Sequence, residues 1–381
     1  MQRVLRPLIL ALFVVLLGTG CAHRLKGPNH GAEGPAWVAA GADARAVVPA
    51  ESVRVHHRVV MIGDAGLYLE DDPTLAALGR WAGAVESSSV VYLGDNVYND
   101  GLTDEDREAG ERILAQQLAA TDVRKIVIPG NHDWGMLQKD RNAKSIRNQQ
   151  AFVDGWRDGR AEFVPKDGCM GPVTRVLREA SPEVRAVVLV ALDPTPWLNE
   201  RLRAACPTPE THEGVLAALE ATLAEHASAD VIVATHYPMR TGGPHGGLSY
   251  GFLGDMLVTP IGWMLGGLMN TYETDYADWI ARTQAVFRRH PPTLYAAGHD
   301  HNLQLLEAGD VAGLYVVSGA GARERVSTVT HLPETIFAHA AEGFVVVDFG
   351  TRDGRASVVV SVVEAASEAP VFRMELLAPT P

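Results

Sequence analysis

The chain has 381 residues, of which 47% are apolar, and its formal net charge is −13. A chain of this length and apolar content can bury one large core or two modest ones. Nucleic acids are bound through clustered Lys and Arg, and no basic cluster stands out along this acidic sequence, so the composition argues against a nucleic-acid partner.

The first 21 residues have the features of a signal peptide. Arg3 and Arg6 give a positive start, an apolar run extends from Leu8 to Leu17, and small residues precede Cys21. The run is too short to span the ~30 Å hydrocarbon core of a bilayer, which favours an export signal over a transmembrane helix. A cysteine at this place is typical of a lipoprotein with an acylated N-terminus, and ordinary cleavage nearby is the alternative. We therefore expect an exported protein that is either anchored in the cell envelope through Cys21 or secreted.

Residues 22–56 contain Gly, Pro and Ala without a sustained apolar period, which predicts a tether. The folded domain is then expected to span residues 57–381. In an exported protein the two remaining cysteines, Cys169 and Cys206, are first expected to form a disulfide, with buried free thiols as the alternative.

From His57 onward, short Val- and Ile-rich runs alternate with helical patterns. Strands are predicted at Val59–Ile62, Val90–Leu93, Lys125–Ile128, Val184–Leu192, Val231–Ala234 and Leu294–Ala297. Helical spacing of apolar residues falls within residues 75–85, 113–118, 215–223 and 276–289. Strands that alternate with helices predict an α/β fold whose neighbouring strands are largely parallel.

After Gly298 the pattern contains strands only, at Leu314–Val317, Phe344–Phe349 and Ser357–Val363, with a turn at Thr351–Gly354. These strands predict a second, hairpin-rich sheet. The expected fold is therefore two mixed β-sheets packed face to face as a sandwich and flanked by helices.

Five of the predicted strands each end in a short polar loop that carries metal-binding residue types. The loops are Gly63-Asp64, Gly94-Asp95-Asn96-Val97-Tyr98, Gly130-Asn131-His132-Asp133, His236-Tyr237-Pro238 and Gly298-His299-Asp300-His301. Ligand sites in α/β sheets gather at the carboxyl ends of strands, so all five loops can converge on one crevice. Each loop alone is a weak signal, but five in this order are not a chance pattern.

The five loops resemble those of the calcineurin-like metallophosphoesterase superfamily, and within it the small purple (tartrate-resistant) acid phosphatases. In the wider superfamily the first loop reads Asp-x-His, whereas here the third position is Gly66. The purple branch lacks the same histidine and has a tyrosine three residues after the bridging aspartate, as Tyr98 follows Asp95 here. The resemblance covers roughly residues 58 to 378 and includes Asn302-Leu303-Gln304, Ser318-Gly319-Ala320-Gly321 and the segment from Gly343 to Leu377.

The resemblance implies a site for two metal ions, with Asp95 as the bridging carboxylate. Ferric iron would be held by Asp64, Asp95, Tyr98 and His301. The second metal, Fe(II), Zn or Mn, would be held by Asp95, Asn131, His236 and His299. Oxygen and imidazole donors suit these metals better than metals that prefer thiolates.

The resemblance also implies roles for residues beside the ligands. His132 would face the substrate and either orient its phosphate or protonate the leaving oxygen. His245 stands nine residues after His236, where the family has another substrate-facing histidine, and an exposed loop histidine is the alternative. Asn96 and Asp133 are expected to orient ligands rather than bind metal.

The expected reaction is the hydrolysis of phosphate monoesters by an acid phosphatase that acts on small molecules. Two cations ~3.5–4 Å apart relieve the repulsion between a phosphoester dianion and an anionic nucleophile, and support in-line attack by metal-bound hydroxide. Alternatives on the same fold are a phosphodiesterase or nucleotidase and a phospholipid-head-group hydrolase. A lipid-anchored binding protein with an inactive site is the rival from another class.

Residues 249–275 differ from the family pattern and form an apparent insertion with an apolar, glycine-rich segment from Phe252 to Met269. Asp255, Pro260 and several glycines interrupt this segment, which argues against a membrane span. A lid, an oligomer contact, a membrane-surface patch and a buried loop are the alternatives for its role.

Overall fold

The computed structural model describes residues 52–135, 143–208, 210–246, 271 and 273–376, with short pieces at 23–24, 29–30, 36–40, 42 and 248–249. The predicted signal peptide with Cys21, and residues 250–270 of the predicted insertion, lie outside the described residues. Within the described part of the chain, no helix has both the length and the apolarity that crossing a bilayer requires.

The described residues form strands β1 to β19 and α-helices α1 to α6. The strands are β1 His23–Arg24, β2 Asn29–His30, β3 Trp37–Val38, β4 Arg54–Ile62, β5 Ser88–Leu93, β6 Arg124–Ile128, β7 Ala161–Phe163, β8 Val173–Arg178, β9 Val187–Ala191, β10 Asp230–Ala234, β11 Leu248–Ser249, β12 Leu294–Ala297, β13 Leu303–Leu306, β14 Tyr315–Ser318, β15 Val329–Thr330, β16 Thr335–His339, β17 Gly343–Arg352, β18 Arg355–Glu364 and β19 Phe372–Leu376. The helices are α1 Pro73–Gly83, α2 Arg107–Ala119, α3 Ala143–Asp154, α4 Thr195–Leu198, α5 His212–Glu225 and α6 Thr274–Arg289.

Two mixed sheets make up the body of the fold. The seven-stranded sheet has the order β19-β18-β17-β4-β5-β6-β7, and the eight-stranded sheet has the order β3-β16-β13-β14-β12-β10-β9-β8. Strands β4 to β7 are parallel to one another, as are β9, β10, β12 and β14. Antiparallel strands complete both sheets, which confirms the predicted α/β sandwich.

The alternation of side chains along each strand explains the layers. In β4, Val59 and Met61 enter the core between the two sheets, whereas Val60 and Ile62 pack against helices on the outer face. Successive side chains of a strand point to opposite faces, so a strand that is apolar at every position is covered on both sides. Each fully buried side chain of this kind contributes roughly 1.5–3 kcal/mol to folding.

The strands after Gly298 do not form a sheet of their own, so this part of the sequence prediction is wrong. Strand β14 lies beside β12 in the eight-stranded sheet, whereas β17 pairs with β4 in the other. The end of the chain thus adds antiparallel strands to both sheets. The predicted turn is present, because Arg352 pairs with Arg355 and the two residues between them, Asp353 and Gly354, have positive φ angles.

The folded body includes residues that the sequence assigns to the tether. Strand β4 begins at Arg54, and Trp37–Val38 pairs with Phe337 and Ala338 of β16. Ala42 is also buried in the core between the sheets. Short apolar pieces of this kind carry no periodic signal, because a strand of two residues is too short to show alternation.

Cys169 and Cys206, which are 37 positions apart in the chain, form a disulfide in the structure with their sulfurs 2.02 Å apart. By loop-closure entropy a ring of this size stabilises the fold by roughly 3–4 kcal/mol. The loop that the disulfide closes lies beside the site described below. Gly168, directly before Cys169, packs against Trp134, since a Cβ added at Gly168 would lie 2.8 Å from that side chain, and Trp134 is two residues after His132.

Candidate metal centre

The five ligand-bearing loops meet at one edge of the sandwich. Loops after β4, β5 and β6 come from the seven-stranded sheet, and loops after β10 and β12 come from the eight-stranded sheet. The two sheets approach closely at a pair of glycines, since a Cβ added at Gly63 would lie 3.0 Å from the Cα of Gly298. The site is therefore built jointly by both sheets.

Three of the predicted ligands adopt a backbone conformation that residues other than glycine rarely adopt. The φ angles are +60° at Asp64, +55° at Asp95 and +69° at His299. A residue with a Cβ in this left-handed region costs on the order of 1–2 kcal/mol. Each of the three follows a glycine directly after a strand, and the sharp turn directs its side chain back into the crevice.

One group of donors surrounds Asp64. The hydroxyl of Tyr98 donates a hydrogen bond to Asp64 Oδ1 at 2.9 Å and lies 3.3 Å from His301 Nε2. His301 Nε2 also lies 3.3 Å from Asp64 Oδ1. The Nδ1 atom of His301 is 2.9 Å from the carbonyl oxygen of Arg325, which directs Nε2 into the crevice.

A second group of donors adjoins Asp95. His236 Nε2 lies 3.0 Å from Asn131 Oδ1, 3.5 Å from Asp95 Oδ1 and 3.2 Å from His299 Nδ1. The other nitrogen of His236 bonds to the carbonyl oxygen of Leu93 at 2.8 Å, so Nε2 faces the crevice here too. All four side chains of this group are buried.

The charges in the first group depend strongly on one another. Burial alone would raise the pKa of Asp64, but the hydrogen bond and charge of His301 outweigh it and lower that pKa. Burial opposes protonation of His301, yet its hydrogen bond to Asp64 raises its pKa to about 9. Burial, together with the charges of Asp64 and Asp95, raises the pKa of Tyr98 well above its usual value. A multiply charged cation would displace the protons of His301 and Tyr98 and convert both side chains into ligands.

The donor set fits hard cations. One ligand atom each from Asp64, Asp95 and His236 lie within 4.8 Å of one another. Buried carboxylates this close need a positive charge between them, because no Lys or Arg of the described residues forms an ion pair with Asp64 or Asp95. Carboxylate, amide, phenol and imidazole donors are those preferred by iron, zinc and manganese.

Asp133 and Asn96 brace the loops after β5 and β6. The carboxylate of Asp133 accepts the backbone amides of Asn96 at 3.0 Å, Val97 at 3.2 Å and Gly130 at 2.7 Å. It also accepts the side-chain amide of Asn96 at 3.0 Å. Burial and the nearby charge of Asp95 raise the pKa of Asp133 to about 7. This carboxylate therefore links the loops after β5 and β6, and its role in orienting the ligands stays a prediction.

Two histidines border the open side of the site. His132 Nε2 lies 3.9 Å from Asp95 Oδ2, and its Nδ1 is 2.6 Å from the carbonyl oxygen of Asn99. The ring of His245 lies 3.9 Å, centroid to centroid, from the ring of His299. His245 Nδ1 is buried and has no hydrogen-bond partner among the described residues. Both imidazoles are thus brought to the crevice, each with a nitrogen available to a ligand.

Asp300 holds the loop that carries His245, and sequence reasoning missed this role. Its Oδ1 accepts the backbone amide of His245 at 3.0 Å, and its Oδ2 accepts the hydroxyl of Thr241. Gln304 donates to the same hydroxyl at 2.8 Å and accepts the amide of Gly242 at 2.8 Å. The only sequence signal was the place of Asp300 between two histidines.

Gly66 is fixed by backbone packing. A Cβ at this position would lie 2.6 Å from the carbonyl oxygen of Asp95 and 2.8 Å from the backbone nitrogen of Val97. The carbonyl oxygen of Gly66 accepts the amide of Tyr98 at 2.9 Å. The histidine of the wider superfamily does not fit here, because the chain that positions Tyr98 occupies its space.

Comparison with known proteins agrees with this geometry. The chain matches the model of the calcineurin-like phosphoesterase family over residues 57–303. A search of curated proteins gives no match by sequence.

Solved structures share the fold at low sequence identity. The chain is similar to GAP50, described as the anchor in the inner membrane complex of Plasmodium, with a TM-score of 0.59 and 15% identity over 86% of this chain and 90% of that one. It is also similar to the purple acid phosphatase PPD1 from yellow lupin (Lupinus luteus) seeds, with a TM-score of 0.50 and 14% identity over 84% of this chain and 53% of that one. The chain thus spans about half the length of the lupin enzyme.

The family match covers more than half of the chain and includes all five ligand-bearing loops. The family binds two metal ions, and the buried Asp64, Asp95 and His236 lie where such ions would bind. The chain therefore belongs to the calcineurin-like phosphoesterase family and is a metal-dependent phosphoester hydrolase.

Proposed function

We propose that this protein is a phosphomonoesterase of the purple acid phosphatase kind, with ferric iron at the Tyr98 site. The observation that carries the proposal is the position of the Tyr98 hydroxyl, 2.9 Å from Asp64 Oδ1 and 3.3 Å from His301 Nε2. A buried tyrosine in a structural role would direct its hydroxyl to a backbone carbonyl, as Tyr92 does toward Gln117. Tyr98 instead directs its hydroxyl into the set of metal donors.

The proposed ligands form two sets that share Asp95. Ferric iron would be held by Asp64, Asp95, Tyr98 and His301. Fe(II), Zn or Mn would be held by Asp95, Asn131, His236 and His299. When bound, the two cations would neutralise the phosphoryl oxygens and activate the attacking water.

Two histidines of the site, His132 and His245, would act on the substrate. His132 is anchored through Nδ1 to the Asn99 carbonyl, so its Nε2 is free to donate a proton to the leaving alkoxide. His245 lies over the other metal set against His299, and its unpartnered Nδ1 would bind a phosphoryl oxygen or assist proton transfer.

Metal content and the visible spectrum test the iron assignment. A phenolate bound to ferric iron absorbs visible light by charge transfer, so the purified protein should be coloured and contain two metals per chain. Tyr98→Phe should abolish the colour, whereas Tyr92→Phe, which removes another buried hydroxyl, should keep it. A colourless protein with two bound metals would refute the iron assignment and leave the phosphoesterase assignment intact.

Hydrolysis of 4-nitrophenyl phosphate and of bis(4-nitrophenyl) phosphate tests the choice between a monoesterase and a diesterase. We expect the monoester to be the better substrate, with a rate maximum below pH 7. A preference for the diester, or a maximum well above neutrality, would contradict the proposal.

We also propose that the chain is exported and anchored to the cell envelope through an acyl group on Cys21. The supporting observation is the apolar run from Leu8 to Leu17 between Arg6 and small residues before the cysteine. Cys21→Ser should release the protein from the membrane fraction and abolish labelling by a fatty-acid analogue. Secretion of the wild-type protein in soluble form would refute the anchor.

A further inference from the structure

The guanidinium group of Arg325 lies against the face of Tyr98. Its Cζ atom is 3.6 Å from the centroid of the ring, and the group donates a hydrogen bond to Asn99 Oδ1. The backbone carbonyl of the same residue orients His301 at 2.9 Å. Arg325 therefore lies beside the proposed ferric site without being one of its ligands.

No carboxylate of the described residues forms an ion pair with Arg325. By contrast, the buried Arg58 forms a bidentate pair with Asp348 at 2.6 and 2.9 Å. The chain carries a net charge of −13, so carboxylates are plentiful. A half-buried guanidinium that is left without an anion beside a phosphate site has donors to offer to a ligand.

Arg325 and His132 share the same two neighbours. The ring of His132 lies 4.7 Å, centroid to centroid, from the ring of Tyr98, and its Nδ1 bonds to the carbonyl oxygen of Asn99. Arg325 contacts the same ring and bonds to the side chain of the same asparagine. A substrate that reaches His132 therefore lies next to the guanidinium.

We propose that Arg325 is a specificity-determining residue that binds the oxygens of a doubly charged phosphoryl group. The inference rests on the proposed phosphomonoesterase function and deepens it. A monoester carries up to two negative charges on its phosphoryl oxygens, whereas a diester carries one and replaces an oxygen by an ester group. A guanidinium fork binds two oxygens at once, so it favours the monoester dianion over the diester.

The test compares Arg325→Gln and Arg325→Lys with the wild-type holoenzyme. The matched control is Arg323→Gln, which removes the same charge from an exposed position in the same 3-10 turn, Arg323–Arg325. The measurements are kcat/KM for 4-nitrophenyl phosphate and for bis(4-nitrophenyl) phosphate, the inhibition constant of inorganic phosphate, phosphate binding by calorimetry, and metal content.

Arg325→Gln should lower kcat/KM for the monoester about tenfold or more and weaken inhibition by phosphate by a similar factor, because a charge-assisted bidentate contact is lost. The diester rate and the metal content should stay within about twofold of wild type, because the lost contact serves the monoester dianion and Arg325 is not a metal ligand. Arg325→Lys should restore part of the loss, and Arg323→Gln should behave as wild type.

An equal loss on both substrates, with unchanged phosphate inhibition, would refute the inference and assign Arg325 a structural role only. Failure of the proposed function looks different. A wild-type holoenzyme that hydrolyses neither ester would refute the function. In that event, calorimetry still decides on Arg325, because weaker phosphate binding by Arg325→Gln supports the contact and unchanged binding refutes it.

Discussion

The carboxylate of Asp300 accepts a hydrogen bond from the backbone amide of His245 at 3.0 Å, across 55 residues of sequence. Its second oxygen accepts the hydroxyl of Thr241. That hydroxyl already accepts hydrogen bonds from Gly243 at 2.9 Å and Gln304 at 2.8 Å, so it must donate to Asp300. The position of His245 thus depends on a carboxylate at residue 300.

Asp300→Asn should displace the His245 loop and lower kcat about tenfold, because both oxygens of Asp300 accept hydrogen bonds. The new amide nitrogen would face either the backbone N–H of His245 or the Thr241 hydroxyl, which has no acceptor capacity left. The unsatisfied contact should also cost roughly 1–3 kcal/mol in the free energy of unfolding. Urea unfolding and steady-state kinetics measure both effects. The control is Asp310→Asn at a carboxylate that is 77% exposed, where neither quantity should change. Wild-type kcat in Asp300→Asn would contradict the role of this carboxylate.

Gly66→Ala should damage the site, although alanine is the smallest possible side chain. The added Cβ meets backbone atoms of residues 95–97 at 2.6 to 2.8 Å, and backbone cannot rotate away as a side chain can. We expect a loss of roughly 1–3 kcal/mol in stability and a loss of visible absorbance as Tyr98 is displaced. Gly83→Ala is the matched control. An added Cβ there meets nothing within 4 Å at the end of α1, so stability should rise by about 0.5–1 kcal/mol.

Asp133→Asn should weaken metal binding without removing a ligand. Each oxygen of Asp133 accepts at least two N–H groups, and an amide nitrogen in place of either oxygen would face donors. Loss of a residue that orients ligands typically costs about 10- to 100-fold in metal affinity. Metal retained after dialysis against a chelator measures the change. Asp278→Asn, at an exposed position of α6, should retain metal as wild type does, and equal retention in Asp133→Asn would contradict the prediction.

His57 should make the fold less stable in acid. Burial, and then the charges of Arg178 and Arg124, lower its pKa from 6.5 to about 4. The unfolded chain therefore binds the proton more readily, and the free energy of unfolding should fall as the pH drops from 6.5 toward 4, by up to about 1.4 kcal/mol per pH unit.

His57→Asn isolates this effect, because the amide does not titrate and can still bond to Ser87, the partner of Nδ1. Unfolding in urea at several pH values should show a shallower slope for the variant between pH 6.5 and 4, and parallel curves above pH 7. Identical slopes would show that His57 takes up its proton equally in the folded and unfolded chains.

The ligand loops are predictable from the sequence because each one is a local pattern. An apolar strand, a glycine and a metal-binding side chain stand next to one another, as in Ile62-Gly63-Asp64. The structure brings all of the predicted ligands to one crevice, since the carboxyl ends of parallel strands share an edge. The helices around residues 75–85 and 276–289 are equally local and fall within two residues of their observed starts at Pro73 and Thr274.

Strand pairing and side-chain contacts between distant parts of the chain were not predictable. Strand β17 joins β4 through Val345 and Met61, a pairing that follows from the global sheet order and leaves no local signature. The same is true of Arg325, which approaches Tyr98 across 227 positions only after the fold is complete. The contacts of Asp300 and Arg325 were missed for this reason, because polar residues in loops reveal their partners only in three dimensions.

The division of the donors between two sheets has a consequence for assembly. Asp64, Asp95, Tyr98 and Asn131 follow strands of one sheet, and His236, His299 and His301 follow strands of the other. Neither half alone supplies a complete set for either proposed ion, so capture of both ions must follow the docking of the halves. Bound metal would then stabilise the contact between the two sheets, and full occupancy of the centre would indicate a completely folded chain.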